Sequence, residues 1–383
     1  VDHPSSFRQA ESTSSQERPK ITLVVDDLSS AVLLRALLIA RALQRLHYPT
    51  EICGFHFRQH LYTQLPEDIP VVAFGVSRWP KALWTAQQLI RRLQGSLIYA
   101  IKPRPLSYGV ALISKWFKSH PVLLDIDDWE IGLFQTMPLL HPNHPLYLRG
   151  MQALIPQANA ITINSSDLQS RFGGSYLPNG KDTELFDPAR YDAQALRQRY
   201  GLADYTLLMF PGAPRPYKGL EDLLAALDLL QNPRLRLVII GGSPYDNYDA
   251  QLMEQWGNWI IKLPRMPYEQ MPEIVAASHI VVVPQRDHPA TRAQFPLKLT
   301  DGMAMAKPIL STCVGDIPRI LGGTGYLVDP SSPHQLAEKL SWILAHNDEA
   351  NQLGQQARQR CIQFFSLEAM AQILHTVVAG VTA

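Results

Sequence analysis

Short apolar runs alternate with longer amphipathic stretches from residue 21 almost to the last residue, and no other feature constrains this chain as much. A parallel strand pair cannot be closed by a tight turn and needs a dozen or more connecting residues, so this rhythm predicts parallel strands joined by crossover helices. Strands are expected at 21–25, 50–55, 71–74, 97–100, 122–126 and 160–163, with helices such as 30–46 and 83–93 between them. The rhythm restarts at 206–210 and continues through strands at 235–241, 259–263, 280–283, 308–311 and 325–328. Helices are expected there at 220–231, 268–277, 297–306, 333–346 and 349–364. The fold class is therefore α/β, with two Rossmann-like domains, and 383 residues suffice for two cores.

The join falls in PNGKDTELFDPARYD, residues 178–192, where Pro178, Asn179, Gly180 and Pro188 interrupt regular structure. The divisions expected are a polar, flexible leader over 1–19, a first domain over 20–181 and a second over 182–365. Residues 20–182 carry 16 basic and 11 acidic side chains, whereas residues 183–383 carry 17 and 20, so the two halves face different partners. Over the whole chain the net charge is +1, too balanced for a nucleic-acid-binding surface. An apolar fraction of 46% against 18% charged excludes a disordered chain. Cys53, Cys313 and Cys361 are scattered and odd in number, which points away from a disulfide framework or a zinc site and toward a reducing, cytoplasmic setting. Arg35 and Arg41 interrupt the best apolar run, so no membrane span is expected.

In open parallel sheets, ligands sit beyond the carboxyl ends of the strands, so two such domains facing each other place a site in the cleft between them. The segment from Phe210 to Leu220, FPGAPRPYKGL, leads from a strand through a Gly/Pro turn into a helix. Gly212 lets backbone approach a ligand, Arg215 and Lys218 bring positive charge, and the helix entrance offers free N–H groups, an arrangement suited to a diphosphate. Residues 294–308, QFPLKLTDGMAMAKP, open a second helix with Lys298 near its first turn and Asp301 one turn on. Two helix entrances and three cations then converge on one anion. The alternatives are a basic surface loop and an i,i+3 ion pair between Lys298 and Asp301.

With these segments in view, the second half resembles the retaining GT-B glycosyltransferases of the family 4 type (glycosyl transferases group 1). The motifs come in the family's order: PNGKDTELFDP, FPGAPRPYKGLEDLLAAL, LRLVIIGG, MPYEQMPEIVAASHIVVVP, FPLKLTDGMAMAKPIL and GTGYLVDPSSPHQLAEKLSWIL. The resemblance implies a metal-independent enzyme without a cofactor, in which a nucleotide-diphosphate sugar is held by the second domain. Its sugar passes, with retention, to a lipid-linked, polysaccharide or small-molecule acceptor held by the first. Gly212, Arg215, Lys218, Pro296, Leu297 and Lys298 would then bind the diphosphate, Asp301 the ribose, and Arg265 and Met266 would lie beside the base. Asn179 and Asp182 would serve the domain-joining loop, and the last helix, over 366–383, would pack back on the first domain.

Two positions depart from the family. Its paired carboxylates, eight residues apart, read here as Ala293 and Asp301, and its Arg after the first Gly of the phosphate loop is Ala213. Asp287 and His288 are candidates to replace the missing carboxylate, and Ala293→Glu tests its loss, since a rise in transfer would show that the site had been weakened by it. In the first half, VLLDIDDWE ends a strand in Asp125, Asp127, Asp128 and Glu130. Asp127 and Asp128 are the candidate catalytic carboxylates, the alternative being an acidic capping turn. Ser29, Lys102 and Arg104 follow other strands and are candidates for the acceptor side, although Ser29 also suits an N-cap. Finally, Arg78 to Trp84, Arg91, Arg92 and Lys115 to Lys118 interleave cations with aromatics, a pattern suited to an anionic membrane surface or to ordinary amphipathic packing. A nucleotide-sugar epimerase or hydrolase, and a non-catalytic nucleotide-sugar-binding protein, are the competing functions.

Overall fold

The computed structural model describes residues 18–63, 65–76, 79–133, 138–139, 141, 143–242 and 246–382, with the side chains of 79–83 and 132–133 left aside. Most of the expected leader and Arg78 of the basic aromatic stripe lie outside the described residues.

Two parallel sheets form. The first contains β1 (Ile21–Val25), β2 (Thr50–His56), β3 (Val71–Gly75), β4 (Leu97–Ile101), β5 (Val122–Ile126), β6 (Ala160–Ile163) and β7 (Ser175–Tyr176), in the order β3-β2-β1-β4-β5-β6-β7. The second contains β8 (Thr206–Phe210), β9 (Leu235–Ile240), β10 (Ile260–Leu263), β11 (Ile280–Val283), β12 (Ile309–Thr312) and β13 (Tyr326–Val328), in the order β10-β9-β8-β11-β12-β13. In both, the order reverses beside the first strand of the domain, and a crevice opens at such a switch point. Two-residue β7 escapes sequence reading because it has no apolar run, and the stretch expected as a helix from 268 begins as a 3₁₀ turn, Tyr268–Gln270, before the α-helix Met271–Ala277.

Both faces of each sheet are covered, which is why the strands read as unbroken apolar runs rather than alternating ones. Ile21, Leu23 and Val25 of β1 enter one core cluster while Val24 enters the cluster on the opposite face. In β8, Leu207 and Met209 point one way and Leu208 and Phe210 the other. Helix α1 (Val32–Arg45) lies on the first sheet together with the final helix, Leu367–Thr382, whose Met370, Leu374 and Val378 belong to the same buried cluster as Leu33, Ile39 and Leu43. The chain thus enters the second domain and returns.

Arg35 of α1 anchors this crossing. Its guanidinium is buried, donates to Asp125 of β5 at 2.8 and 2.9 Å, and also reaches the carbonyls of Leu177 and Pro178 and the side chain of Asn179. The domain-joining loop is therefore clamped to the first sheet, and Lys181 bridges to Ser366 where the chain comes back.

Candidate active site

The second domain contributes two loops at strand carboxyl ends. In the loop after β8, Gly212 has φ of +139°, and a Cβ there would lie 3.0 Å from Lys298 Nζ. Gly219 has φ of +73°, and a Cβ there would strike the Pro284 carbonyl oxygen at 1.8 Å. Both glycines let the loop lie flush against the end of β11 and the entrance of the helix Leu297–Ala304, a fit that a side chain would prevent.

This seating brings the predicted cations together. Lys218 sits close enough to Lys298 and Arg215 to be repelled by both, and burial plus that repulsion push its ammonium down to about 7. Burial also pushes Lys298 down to about 8, against a partial pull from Asp301, while its Nζ lies 4.6 Å from the centre of the Phe210 ring. Among the described residues, neither lysine forms an ion pair with a carboxylate. Arg215 is held by Asp246 at 3.0 Å. Pro296 occupies the N-cap of the helix Leu297–Ala304 and offers no side-chain acceptor to the N–H groups beside Lys298.

Asp301, one turn on, pairs with Lys181 of the domain-joining loop, a partner that sequence reading assigned only to that loop. The simple Lys298–Asp301 surface pair is therefore not what forms. Arg265 is exposed; it donates to the Tyr62 carbonyl at 3.1 Å and lies over the Tyr62 ring, so the loop carrying it touches the first domain. Met266 packs against the second-domain core.

Across the cleft, the carboxyl ends of β4 and β5 build a charge cluster. Lys102, in the left-handed region at φ of +69°, directs its ammonium to Asp127 at 2.7 Å, Asp128 at 2.6 Å and Glu130 at 2.9 Å. Arg104 joins Glu130 at 2.6 Å to Asp26 at 2.8 Å. Burial pushes the Asp127 carboxyl up, but Lys102 and Arg35 more than offset this and hold it below its ordinary value. Asp128 goes the other way, raised by burial and by Asp127 beside it. One carboxylate stays firmly ionised while its neighbour takes a proton more readily. Asp127, Asp128 and Glu130 could by ligand type hold a metal, yet the Lys102 ammonium already reaches all three. Lys102 and Arg104 are buried and committed to carboxylates, so an anionic acceptor would have to compete for them. Ser29 is tied to Asp27 through its backbone N–H and its hydroxyl, an N-capping type of turn that leads toward α1.

Gln294 joins the two sides. Its Oε1 accepts from Lys218 Nζ at 2.6 Å and its Nε2 donates to Asp128 at 3.2 Å. Sequence reading passed over it because a single glutamine between two apolar residues has no periodic or charge signature. Ala293, where a carboxylate was expected, is fully buried in a first-domain core cluster, and its carbonyl accepts from Ser165 at 3.1 Å. Asp287 is held by Arg292 at the exposed end of this loop and His288 caps its own short turn, so neither stands in for it.

Residues 192–360 match the family described as Glycosyl transferases group 1. The chain is 26% identical over 245 residues to the D-inositol 3-phosphate glycosyltransferase of Corynebacterium glutamicum (strain R), covering 58% of this chain and 57% of that protein. It is 30% identical over 240 residues to the D-rhamnosyltransferase WbpZ of Pseudomonas aeruginosa, covering 60% of each. These alignments span less than two thirds of the relatives' lengths. Among solved structures, Anabaena Alr3699/HepE in complex with UDP and glucose superposes with a TM-score of 0.77 at 19% identity, covering 94% of this chain and all of that one. Residues 192–360 thus resemble the glycosyl transferases group 1 family, and with two parallel α/β sheets the chain has the GT-B fold.

Proposed function

We propose that this protein moves a sugar from a nucleoside-diphosphate sugar to an acceptor held by the first domain, with retention at the anomeric carbon. The observation that carries this reading is the pair Lys218 and Lys298, two partly buried ammoniums brought together where the loop after β8 meets the next helix entrance, Lys218 bonded to the neutral Gln294 amide and both short of counter-charge. A diphosphate bridging them supplies that charge and restores both ammoniums. Gly212, Arg215 and the N–H groups around Pro296, Leu297 and Lys298 complete its seat, Asp301 meets the ribose, and Arg265 and Met266 flank the base. The names of the relatives in the family support transfer over other chemistries.

In this reading the placed cations stabilise the leaving diphosphate, so no resident metal takes part. Ionised Asp127 stabilises positive charge on the sugar, Asp128 exchanges hydrogen bonds with a sugar hydroxyl, and the departing phosphate takes the acceptor's proton. Ser29, Lys102 and Arg104 line the acceptor side. The acceptor is lipid-linked, polysaccharide or small-molecule. Access from an anionic membrane is supported by Trp84, Trp116 and Phe117, which are 64%, 57% and 81% exposed beside Arg91 and Arg92. Among the described residues, no helix is long and apolar enough to cross a membrane.

A second reading, a nucleotide-sugar-binding protein without turnover, is favoured by the buried Ala293 in place of the family's carboxylate. Incubation with UDP- and GDP-sugars and candidate acceptors separates the two. Sugar appearing on an acceptor supports transfer, thermal stabilisation without product supports binding alone, and donor cleaved or isomerised supports a hydrolase or epimerase. No thermal shift with any donor rejects them all, because a ligand selective for the native state must stabilise it.

A further inference from the structure

Gln294 spans the cleft with one side-chain amide, while the backbone on either side of it is fastened to the first domain. The Ala293 carbonyl accepts from Ser165 at 3.1 Å and the Phe295 carbonyl accepts from Asn179 at 3.3 Å. The adjustable part of this stretch is therefore the Gln294 side chain. Its oxygen takes one of the three protons that Lys218 Nζ can donate, at 2.6 Å. A neutral amide oxygen satisfies that proton without neutralising the charge, whereas a phosphate oxygen does both and forms a hydrogen bond about twice as strong. At its other end the amide donates to Asp128, the carboxylate that shares Lys102 with Asp127 and Glu130.

We propose that the Gln294 amide oxygen occupies Lys218 as a stand-in for a phosphate oxygen, that an arriving diphosphate displaces it, and that the released side chain settles on the Asp128 side. Gln294 is thus a positioning residue through which occupancy of the phosphate seat reaches the first domain. This rests on the reading that Lys218 binds the donor's diphosphate. A neutral side chain is required for the exchange: a carboxylate at position 294 would neutralise Lys218 and hold the seat closed.

Calorimetric titration of the full chain with inorganic pyrophosphate, a probe independent of base and sugar, tests this on the wild type and on Gln294→Ala, Gln294→Glu and Lys218→Ala. Removing the competitor in Gln294→Ala tightens pyrophosphate binding by about 3- to 10-fold, and Gln294→Glu weakens it by at least about 10-fold. In the Lys218→Ala background the gain from Gln294→Ala disappears, an outcome that a merely structural role for the glutamine would not produce. If Gln294→Ala does not fold, Gln294→Met keeps the volume without the amide and carries the same expectation. Unchanged or weaker binding in Gln294→Ala, with Lys218→Ala still weakening it, overturns this proposal alone. Failure of the wild type to bind pyrophosphate, or indifference to Lys218→Ala, overturns the phosphate reading beneath it.

Discussion

Lys181 and Asp301 form a buried ion pair across 120 residues of chain, with the Lys181 ammonium 4.3 Å from the Phe186 ring centre and 5.4 Å from that of Tyr268. Burial works against the Lys181 charge, but Asp301 holds its pKa above the ordinary lysine value. Lys181 leaves the loop that carries the chain between domains, so one side chain both fixes that loop and pairs with the proposed ribose carboxylate.

Lys181→Met strands the Asp301 carboxylate in a buried site, and breaking such a pair costs about 3–5 kcal/mol. Urea unfolding should show that loss, and Lys181→Met combined with Asp301→Asn should recover a substantial part of it. Additive losses in the double variant would contradict the pairing.

Lys218→Ala should weaken nucleoside-diphosphate binding by at least about 10-fold, the scale of one lost charge-assisted hydrogen bond. The melting temperature should hold or rise, because the substitution removes an ammonium repelled by Lys298 and Arg215. Thermal melts read against titration with UDP and GDP check both halves.

The free protein should become more stable as pH rises from about 7 toward the ordinary lysine value, and binding should take up protons at pH 8. In the folded state Lys218 and Lys298 titrate near 7 and 8, so across that window the unfolded chain binds more protons and stability increases with pH. Lys218 faces Lys298, Arg215 and Asp128, and Lys298 faces Asp301; a bound diphosphate adds negative charge and pulls both lysines back up. Titration with UDP in two buffers of different ionisation enthalpy reads the proton count, and net release contradicts the assignment.

Ala293→Glu, which places a carboxylate where the resembling family carries one, should destabilise the protein. The position is fully buried in an apolar cluster, and burying an unpaired carboxylate costs about 2 kcal/mol or more. A melting temperature equal to that of the wild type, with raised transfer, would show that the loop can turn the new side chain into the cleft.

Trp116→Ala with Phe117→Ala should lower co-sedimentation with vesicles containing anionic lipid and leave binding of UDP unchanged. Lys115 and Lys118 of the same helix, Val110–Lys118, are bonded to the carbonyls of Gln157, Ile90 and Leu93, so the aromatic side chains carry most of the effect. Equal sedimentation of the variant and the wild type removes the membrane from the proposal.

Strand positions were legible because each depends on local periodicity: Ile21–Val25, Val122–Ile126, Thr206–Phe210 and Ile280–Val283 fall where their apolar runs lie. The loop proposed to seat the diphosphate could be picked out for a similar reason, since Gly212, Arg215, Lys218 and Gly219 lie within eight consecutive residues. Gln294 was not, because its importance comes from Lys218 and Asp128, 76 and 166 residues away. Nor could sequence reveal that Lys102 and Arg104, read as acceptor-side cations, are already surrounded by Asp26, Asp127, Asp128 and Glu130.

From its sequence alone this chain commits to two parallel α/β domains and to cations at the second domain's helix entrances, since apolar period and turn chemistry act over neighbouring residues. Which carboxylate neutralises which cation was decided only by tertiary structure. Lys181 meets Asp301, Arg35 meets Asp125, and Lys218 is left to a neutral amide. Electrostatic pairing depends on distance and burial in space, and both are set by how the two sheets and the returning helix close on each other.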